Sequence, residues 1–267
     1  MAAEYQLCAI DLDETLLGPD HQISEGNIAA IRVAINRGLQ VVIASGRMHE
    51  ATQKYASLLG LTGPIISYNG ALVKVPATGD EWLHLKTPAP LAAEVMEFCA
   101  ANGYQLNFYY QGLIYTEADT PWLQLYHGRT GSPYKVQPGL ASAMRGLQPT
   151  KLLIVDTPDR TNALLPIFRE KYAGSLYVTK TTDEYLEFMP IEANKGAALE
   201  IVASKLGIGV SETIAIGDSF NDIPMVEWAG LGLAVGNAKP ELKAVADRVI
   251  GRYDEDGVGR ALLELTE

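Results

Sequence analysis

The sequence predicts an α/β fold in which a parallel-sheet core is interrupted by an inserted α+β module. Three observations carry that expectation. Short apolar, β-branched runs alternate with helical periodicities up to about residue 75. The alternation gives way to paired strand-like runs between Leu83 and Pro190, and it resumes at Lys195. Continuous apolar strands separated by helices need a sheet covered on both faces, which is the parallel arrangement.

The elements follow in order. Gln6–Leu12 is an apolar run that ends in carboxylates. Ser24–Asn36 places Ile28, Ile31 and Ile35 at helical spacing, with Ser24 as N-cap and Gly38 as the stop. Gln40–Ala44 is a β-branched strand, His49–Leu59 a helix ending near Gly60, and Pro64–Tyr68 a third strand. In the insert, Leu83–Lys86, Phe108–Tyr115, Lys151–Val155 and Leu176–Met189 are strand-like, with turns at Gln111-Gly112 and Thr182-Asp183. Helical stretches at Pro90–Ala101 and Arg160–Tyr172 complete an antiparallel sheet with helices on one side. Ala118–Gly146 has no clear pattern. After the insert come a helix over Gly196–Lys205, a strand at Thr213–Ile216, a helix over Asn221–Ala229 and a strand at Gly232–Val235. A helix at Pro240–Ala246 and a short strand at Arg248–Ile250 follow. The expected domains are therefore 1–82 plus 191–267 for the core and 83–190 for the insert. The insert has roughly 100 residues, enough for a domain of its own.

Composition limits the function. With 48% hydrophobic and 20% charged residues, the chain of 267 residues has globular rather than disordered composition. The net charge is −11 and no Lys/Arg cluster stands out, so no nucleic-acid partner is expected. No apolar stretch approaches the roughly 18 residues of a membrane span. No basic region followed by an apolar run opens the chain. Cys8 and Cys99 lie in apolar surroundings, as buried thiols of a reducing compartment would. The expected location is cytoplasmic, without a membrane partner.

Ligands of open parallel sheets bind beyond the carboxyl ends of the strands, so the residues after each strand matter most. The first strand ends in Asp11-Leu12-Asp13-Glu14-Thr15. Carboxylates two apart on extended chain share a face, where they can bind a divalent metal or divide nucleophilic and proton-transfer work. A polar strand end with a turn would look the same. The second strand ends in Ala44-Ser45-Gly46-Arg47, a hydroxyl and a glycine before a helix, suited to a small anion or to simple capping. Asn194-Lys195-Gly196 opens a helix with a lysine that could meet phosphate or solvent. Gly217-Asp218-Ser219-Phe220-Asn221-Asp222 follows an apolar strand, and such an acidic loop is unfavourable unless a cation binds. The 12-residue spacing of an EF-hand is absent.

In this order, at strand ends, the four constellations resemble the motifs of the haloacid dehalogenase-like hydrolase superfamily. Asp11–Thr15, Ser45, Lys195 and Gly217–Asp222 match its four motifs. The large insert between the second and third motifs resembles the type-2 cap of the Cof-type branch, subfamily IIB. ASGR at 44–47, YNGA at 68–71, NKG at 194–196, GNAKPELKAVAD at 236–247 and DEDG at 254–257 are also Cof-like. One departure is visible: Glu14 stands where the family's first motif, DxDGT, has glycine.

The resemblance implies a Rossmann-like core with an inserted α+β cap domain that sets substrate specificity. It implies a Mg²⁺-dependent phosphatase acting on a small phosphorylated metabolite, with sugar phosphates the expected class. Asp11 is then the nucleophile and Asp13 the general acid and base. Asp11, the Asp13 carbonyl and Asp218 would hold Mg²⁺, with Ser219 and Asp222 orienting them directly or through water. The backbone at Leu12 and Gly46, with Ser45, Lys195 and Asn221, would bind phosphate oxygens. Arg47, Asn69 and Gly70 are candidate substrate contacts, although a salt bridge serves equally for Arg47. Tyr109, Tyr110, Tyr115, Tyr185 and Glu187 are cap candidates for which sheet packing competes as a role. Two alternatives use the same fold: a phosphosugar mutase, and a non-catalytic sensor of phosphorylated ligands, the latter motivated by Glu14.

Overall fold

A computed structural model describes residues 5–267; residues 1–4, the start of the expected core range, lie outside it. The chain divides into two compact units, one formed by residues up to Leu83 together with Asn194–Glu267, the other by His84–Ala193.

In the first unit β1 (Leu7–Ile10) is fully buried and is followed by α1 (Glu25–Asn36). The Ser24 hydroxyl caps α1 by accepting the Asn27 N–H at 3.1 Å, satisfying one of the helix's free amides. β2 (Gln40–Ile43) leads to α2 (His49–Leu59), which Gly60 ends in a left-handed conformation. β3 (Ile65–Ser67), β4 (Leu72–Lys74) and β5 (Glu81–His84) form a small separate sheet. The Pro64–Tyr68 strand is thus not a regular member of the main sheet. β3 pairs antiparallel with β4, and a parallel bridge between Ala44 and Ile66 links it to the end of β2.

The second unit runs through α3 (Ala89–Asn102), β6 (Gln105–Tyr110), β7 (Leu113–Thr116), α4 (Pro121–Thr130), β8 (Tyr134–Val136), α5 (Leu140–Ala143), β9 (Lys151–Val155), α6 (Pro158–Lys171), β10 (Leu176–Lys180) and β11 (Tyr185–Pro190). Its sheet order is β10-β11-β9-β6-β7-β8. The pairs are antiparallel except β7 with β8, which run parallel. Gln111 and Gly112, both at positive φ, make the tight turn between β6 and β7. Phe108, Leu152, Ile154, Leu186 and Phe188 point from one face into a core shared with Val95 and Phe168 of α3 and α6. The expectation of helices on one side needs correction. Tyr126 of α4 meets the rings of Tyr109 and Tyr185, which alternation places on the opposite face. The unpatterned 118–146 stretch therefore contains a helix of its own, with Thr120 as its cap.

Back in the first unit come α7 (Lys195–Leu206), β12 (Thr213–Gly217), α8 (Ile223–Trp228), β13 (Leu231–Ala234), α9 (Pro240–Val245), β14 (Arg248–Val249) and α10 (Gly257–Leu265). Among the described residues the main sheet has five parallel strands in the order β14-β13-β12-β1-β2. β1 and β12 are central and every residue of both is buried, which explains their unbroken apolar runs. The closing helix α10 was not expected from the sequence. It packs on α1, where the Gly259 N–H donates to buried Asn27 Oδ1 at 2.8 Å. No helix among the described residues is long and apolar enough to cross a membrane.

Candidate active site

The carboxyl ends of β1, β2 and β12 lie side by side because these strands are neighbours in parallel register. Asp11 leaves β1 with its N–H still donating to Ile216 O at 3.0 Å. The chain then tightens: Leu12 O accepts the N–H groups of Thr15, Leu16 and Leu17. Glu14 adopts φ 58, the left-handed region that favours glycine. Its carbonyl accepts the Asn237 side-chain amide at 2.7 Å, an anchor for a conformation that a non-glycine residue takes reluctantly. The Glu14 side chain is exposed.

Lys195, the first residue of α7, is wholly buried. Its ammonium donates to Asp11 Oδ1 and to Asp222 Oδ1, each at 2.5 Å. Burial alone would lower its pKa, but the two carboxylates outweigh burial and hold it above the ordinary lysine value. The other oxygen of Asp222 accepts the N–H groups of Asp218 and Ser219, both at 3.0 Å. Asp222 is thus fully engaged in shaping the loop and holding Lys195. The Thr15 hydroxyl donates to Asp218 Oδ1 at 3.1 Å and ties the first motif to the last.

One carboxylate oxygen from each of Asp11, Asp218 and Asp222 falls within 4.8 Å of the others, and all three residues are buried. Burial first, and then the neighbouring carboxylates, raise the Asp11 pKa well above the usual range despite Lys195. Asp218 is pushed up to about 7, by burial and then by Asp222. One ammonium against three carboxylates leaves excess negative charge, and a hard divalent cation fits such an oxygen-donor set.

Asp13 turns elsewhere. Arg47 Nε donates to its Oδ2 at 2.8 Å and Nη2 to its Oδ1 at 2.5 Å. The side chain of Asp13 is therefore outside the carboxylate cluster; only its carbonyl was expected as a metal ligand. Burial works against the Arg47 charge, but the bonds to Asp13 prevail and raise its pKa. Tyr55 Oη and His21 Nδ1 also lie against the guanidinium, at 3.3 and 3.1 Å. Neither partner is legible in the sequence. Arg47 precedes Met48, the N-cap of α2, so its spacing from Tyr55 is not helical, and no local pattern signals either contact.

Ser45 is buried at the end of β2, and its Oγ accepts the Arg47 N–H at 3.1 Å. The hydroxyl proton remains to donate. A Cβ on Gly46 would come 2.8 Å from Asn69 Oδ1, so a side chain there would displace the Asn69 amide. That same Asn69 Oδ1 accepts Asn221 Nδ2 at 2.9 Å. The structure thus brings together Asp11, Ser45, Gly46, Asn69, Lys195, Asp218, Asn221 and Asp222, from segments far apart in the chain.

Within the inserted unit, Tyr110 and Tyr115 pack on the apolar core. Tyr109, Tyr185 and Glu187 are buried on the other face. Glu187 accepts Lys151 Nζ and the Thr181 hydroxyl, each at 3.0 Å, and Lys151 lies 5.0 Å from the centre of the Tyr109 ring.

Comparison with known proteins agrees with this architecture. A match to the family described as haloacid dehalogenase-like hydrolase spans residues 8–262. Phosphatase YwpJ of Bacillus subtilis is 32% identical, over 97% of this chain and 99% of its own. An HMP-PP phosphatase of Serratia proteamaculans is 29% identical, over 97% and 94%. The crystal structure of TM0651 from Thermotoga maritima matches with a TM-score of 0.88 at 32% identity, covering 97% of each chain. A haloacid dehalogenase-like hydrolase from Bacteroides thetaiotaomicron matches with a TM-score of 0.90 at 27% identity, over 98% and 99%. The chain belongs to the haloacid dehalogenase-like hydrolases, in their Cof-type branch. It is a hydrolase of the phosphatase kind.

Proposed function

We propose that the chain is a Mg²⁺-dependent phosphatase that hydrolyses small phosphomonoesters through a phosphorylated Asp11. The observation that carries this reading is the buried meeting of Asp11, Asp218, Asp222 and Lys195 at the carboxyl ends of parallel strands. Asp11, Asp218 and the Asp13 carbonyl would hold the ion. Bound there, it would offset the repulsion between the carboxylates and an anionic substrate. Asp222, already committed to Lys195 and two amides, suits an orienting role.

The protein's own residues then divide the work. An Asp11 carboxylate oxygen attacks phosphorus, and the bond to the leaving oxygen breaks as Asp13 gives that oxygen a proton. Asp13 next takes a proton from water, which attacks the same phosphorus and frees inorganic phosphate and the Asp11 carboxylate. The Ser45 hydroxyl, the N–H groups of Leu12 and Gly46, Lys195 and Asn221 would hold the transferring oxygens. Fixed donors of this kind stabilise charge without reorganising during the reaction.

Substrate choice is assigned to the inserted unit, and the preference for sugar phosphates follows from the family resemblance. Two buried, unpaired cysteines favour a cytoplasmic setting. Phosphate release from a broad panel of phosphomonoesters, with HMP-PP added, tests the reading in Mg²⁺ and in EDTA. Release that requires the metal and disappears in Asp11→Asn is expected. No release from folded protein would overturn it, and isomerised ester in place of free phosphate would establish a mutase.

A further inference from the structure

Tyr68, Asn69 and Gly70 form a short 3-10 turn after β3 in which all three residues have positive φ, at 52°, 54° and 94°. Two consecutive non-glycine residues in the left-handed region are costly, and such strain persists where surrounding contacts enforce it. Here the contacts lead to three phosphate-binding segments of the proposed site. The Tyr68 and Asn69 N–H groups donate to Arg47 O and Ser45 O, at 2.9 and 3.0 Å, and hold the loop after β2. The Asn69 side chain accepts Asn221 Nδ2 at 2.9 Å and covers Gly46. At Gly70 a Cβ would fall 2.1 Å from Asn194 O and 3.1 Å from Lys195 N, so the turn lies directly against the start of α7.

We propose that Asn69 is a positioning residue, acting on phosphate through Asn221, rather than a substrate contact. This inference rests on the phosphatase reading of the site. An amide nitrogen carries two protons. Asn69 Oδ1 takes one from Asn221 and fixes the plane of that amide, leaving the second proton to donate to a phosphate oxygen. Without Asn69 the Asn221 amide is free to rotate and can present its carbonyl oxygen to an anion. Asn69 is 2% exposed and its Oδ1 is already engaged between Gly46 and Asn221, which fits support better than recognition of a leaving group.

The test is a double-mutant cycle with Asn69→Gly and Asn221→Ala in the full chain, read as inhibition by orthovanadate and as kcat and KM. Glycine removes the side chain while accepting the left-handed backbone. Asn69→Gly is expected to weaken orthovanadate inhibition about three- to tenfold, the scale of one hydrogen bond. In the Asn221→Ala background it should add nothing. Additive losses would overturn the proposal, since Asn69 would then act independently of Asn221, and so would unchanged inhibition in Asn69→Gly. Circular dichroism checks folding, and Asn69→Ser enters the same cycle if the glycine variant does not fold. Normal inhibition of Asn221→Ala itself would instead remove Asn221 from the phosphate site, a failure of the underlying reading.

Discussion

Asp13 and Arg47 are joined through both carboxylate oxygens, and the guanidinium that holds Asp13 is itself braced by Tyr55 and His21. A forked donor fixes the plane of a carboxylate as well as its place. Asp13, the proposed proton carrier, is thus oriented by a residue from the loop after β2. Replacing Arg47 by alanine should lower kcat about 10- to 100-fold, the usual cost of losing a residue that orients a reacting group. Arg47→Lys should recover only part of the loss, because an ammonium is a point charge without the planar fork. Steady-state kinetics on both variants, with circular dichroism as the folding check, decides it. Wild-type kcat in Arg47→Ala would remove Arg47 from the account.

Lys195 is the sole cation bonded to Asp11 and Asp222 among the described side chains, and all three are buried. Breaking a buried ion pair from one side costs about 3–5 kcal/mol, because the remaining charge stays desolvated. Lys195→Ala should therefore lower the unfolding free energy by about 3 kcal/mol in EDTA, with part of the loss restored by Mg²⁺. Denaturant titrations with and without the metal measure both effects. An unchanged midpoint in EDTA would mean that the carboxylates do not depend on Lys195.

Asp218 gives a pH dependence whose sign can be worked out. Its carboxyl titrates near 3.8 in the unfolded chain and is pushed up to about 7 in the fold. Between these values the folded protein holds a proton that the unfolded chain has lost. Its contribution to metal-free stability therefore declines as pH rises from 3.8 to about 7, and then levels off. A cation needs the carboxylate, so binding in this window must displace the proton. Mg²⁺ affinity should rise with pH up to about 7. Titration calorimetry in buffers of different ionisation enthalpy should detect more proton release at about pH 6 than at about pH 8. Equal proton release at both would contradict this assignment.

The sequence made much of the core legible because its signals are local. β1 and β12 are apolar and buried throughout, and the caps at Ser24 and Gly60 mark helix ends by their own chemistry. The approach of Asp11, Lys195 and Asp222 could be expected only because their motifs resemble a known family, since residue spacing alone does not bring position 11 to position 222. Contacts between loops were hidden for the same reason. The pairing of Asn69 with Asn221 spans 152 positions, and neither residue carries a local signal for it. The carbonyl contact from Asn237 that anchors Glu14 spans 223 positions. In the insert, α4 escaped notice because its apolar residues form no continuous stripe. Trp122, Leu123, Leu125 and Tyr126 crowd its first half, only Leu123 and Tyr126 of them buried, and the residues after them are polar or glycine. The Pro64–Tyr68 strand was identified, but its partner was not, because a short buried strand does not reveal which sheet it joins.

The most direct test of the account is chemical capture of Asp11. An acyl phosphate is reduced by borohydride, whereas a free carboxylate is not, so reduction of acid-quenched enzyme during turnover converts a phosphorylated aspartate to homoserine. Peptide mass spectrometry should find homoserine at position 11, dependent on substrate and Mg²⁺ and absent from Asp11→Asn. Turnover without homoserine at position 11, or with homoserine at another aspartate, would contradict the central claim.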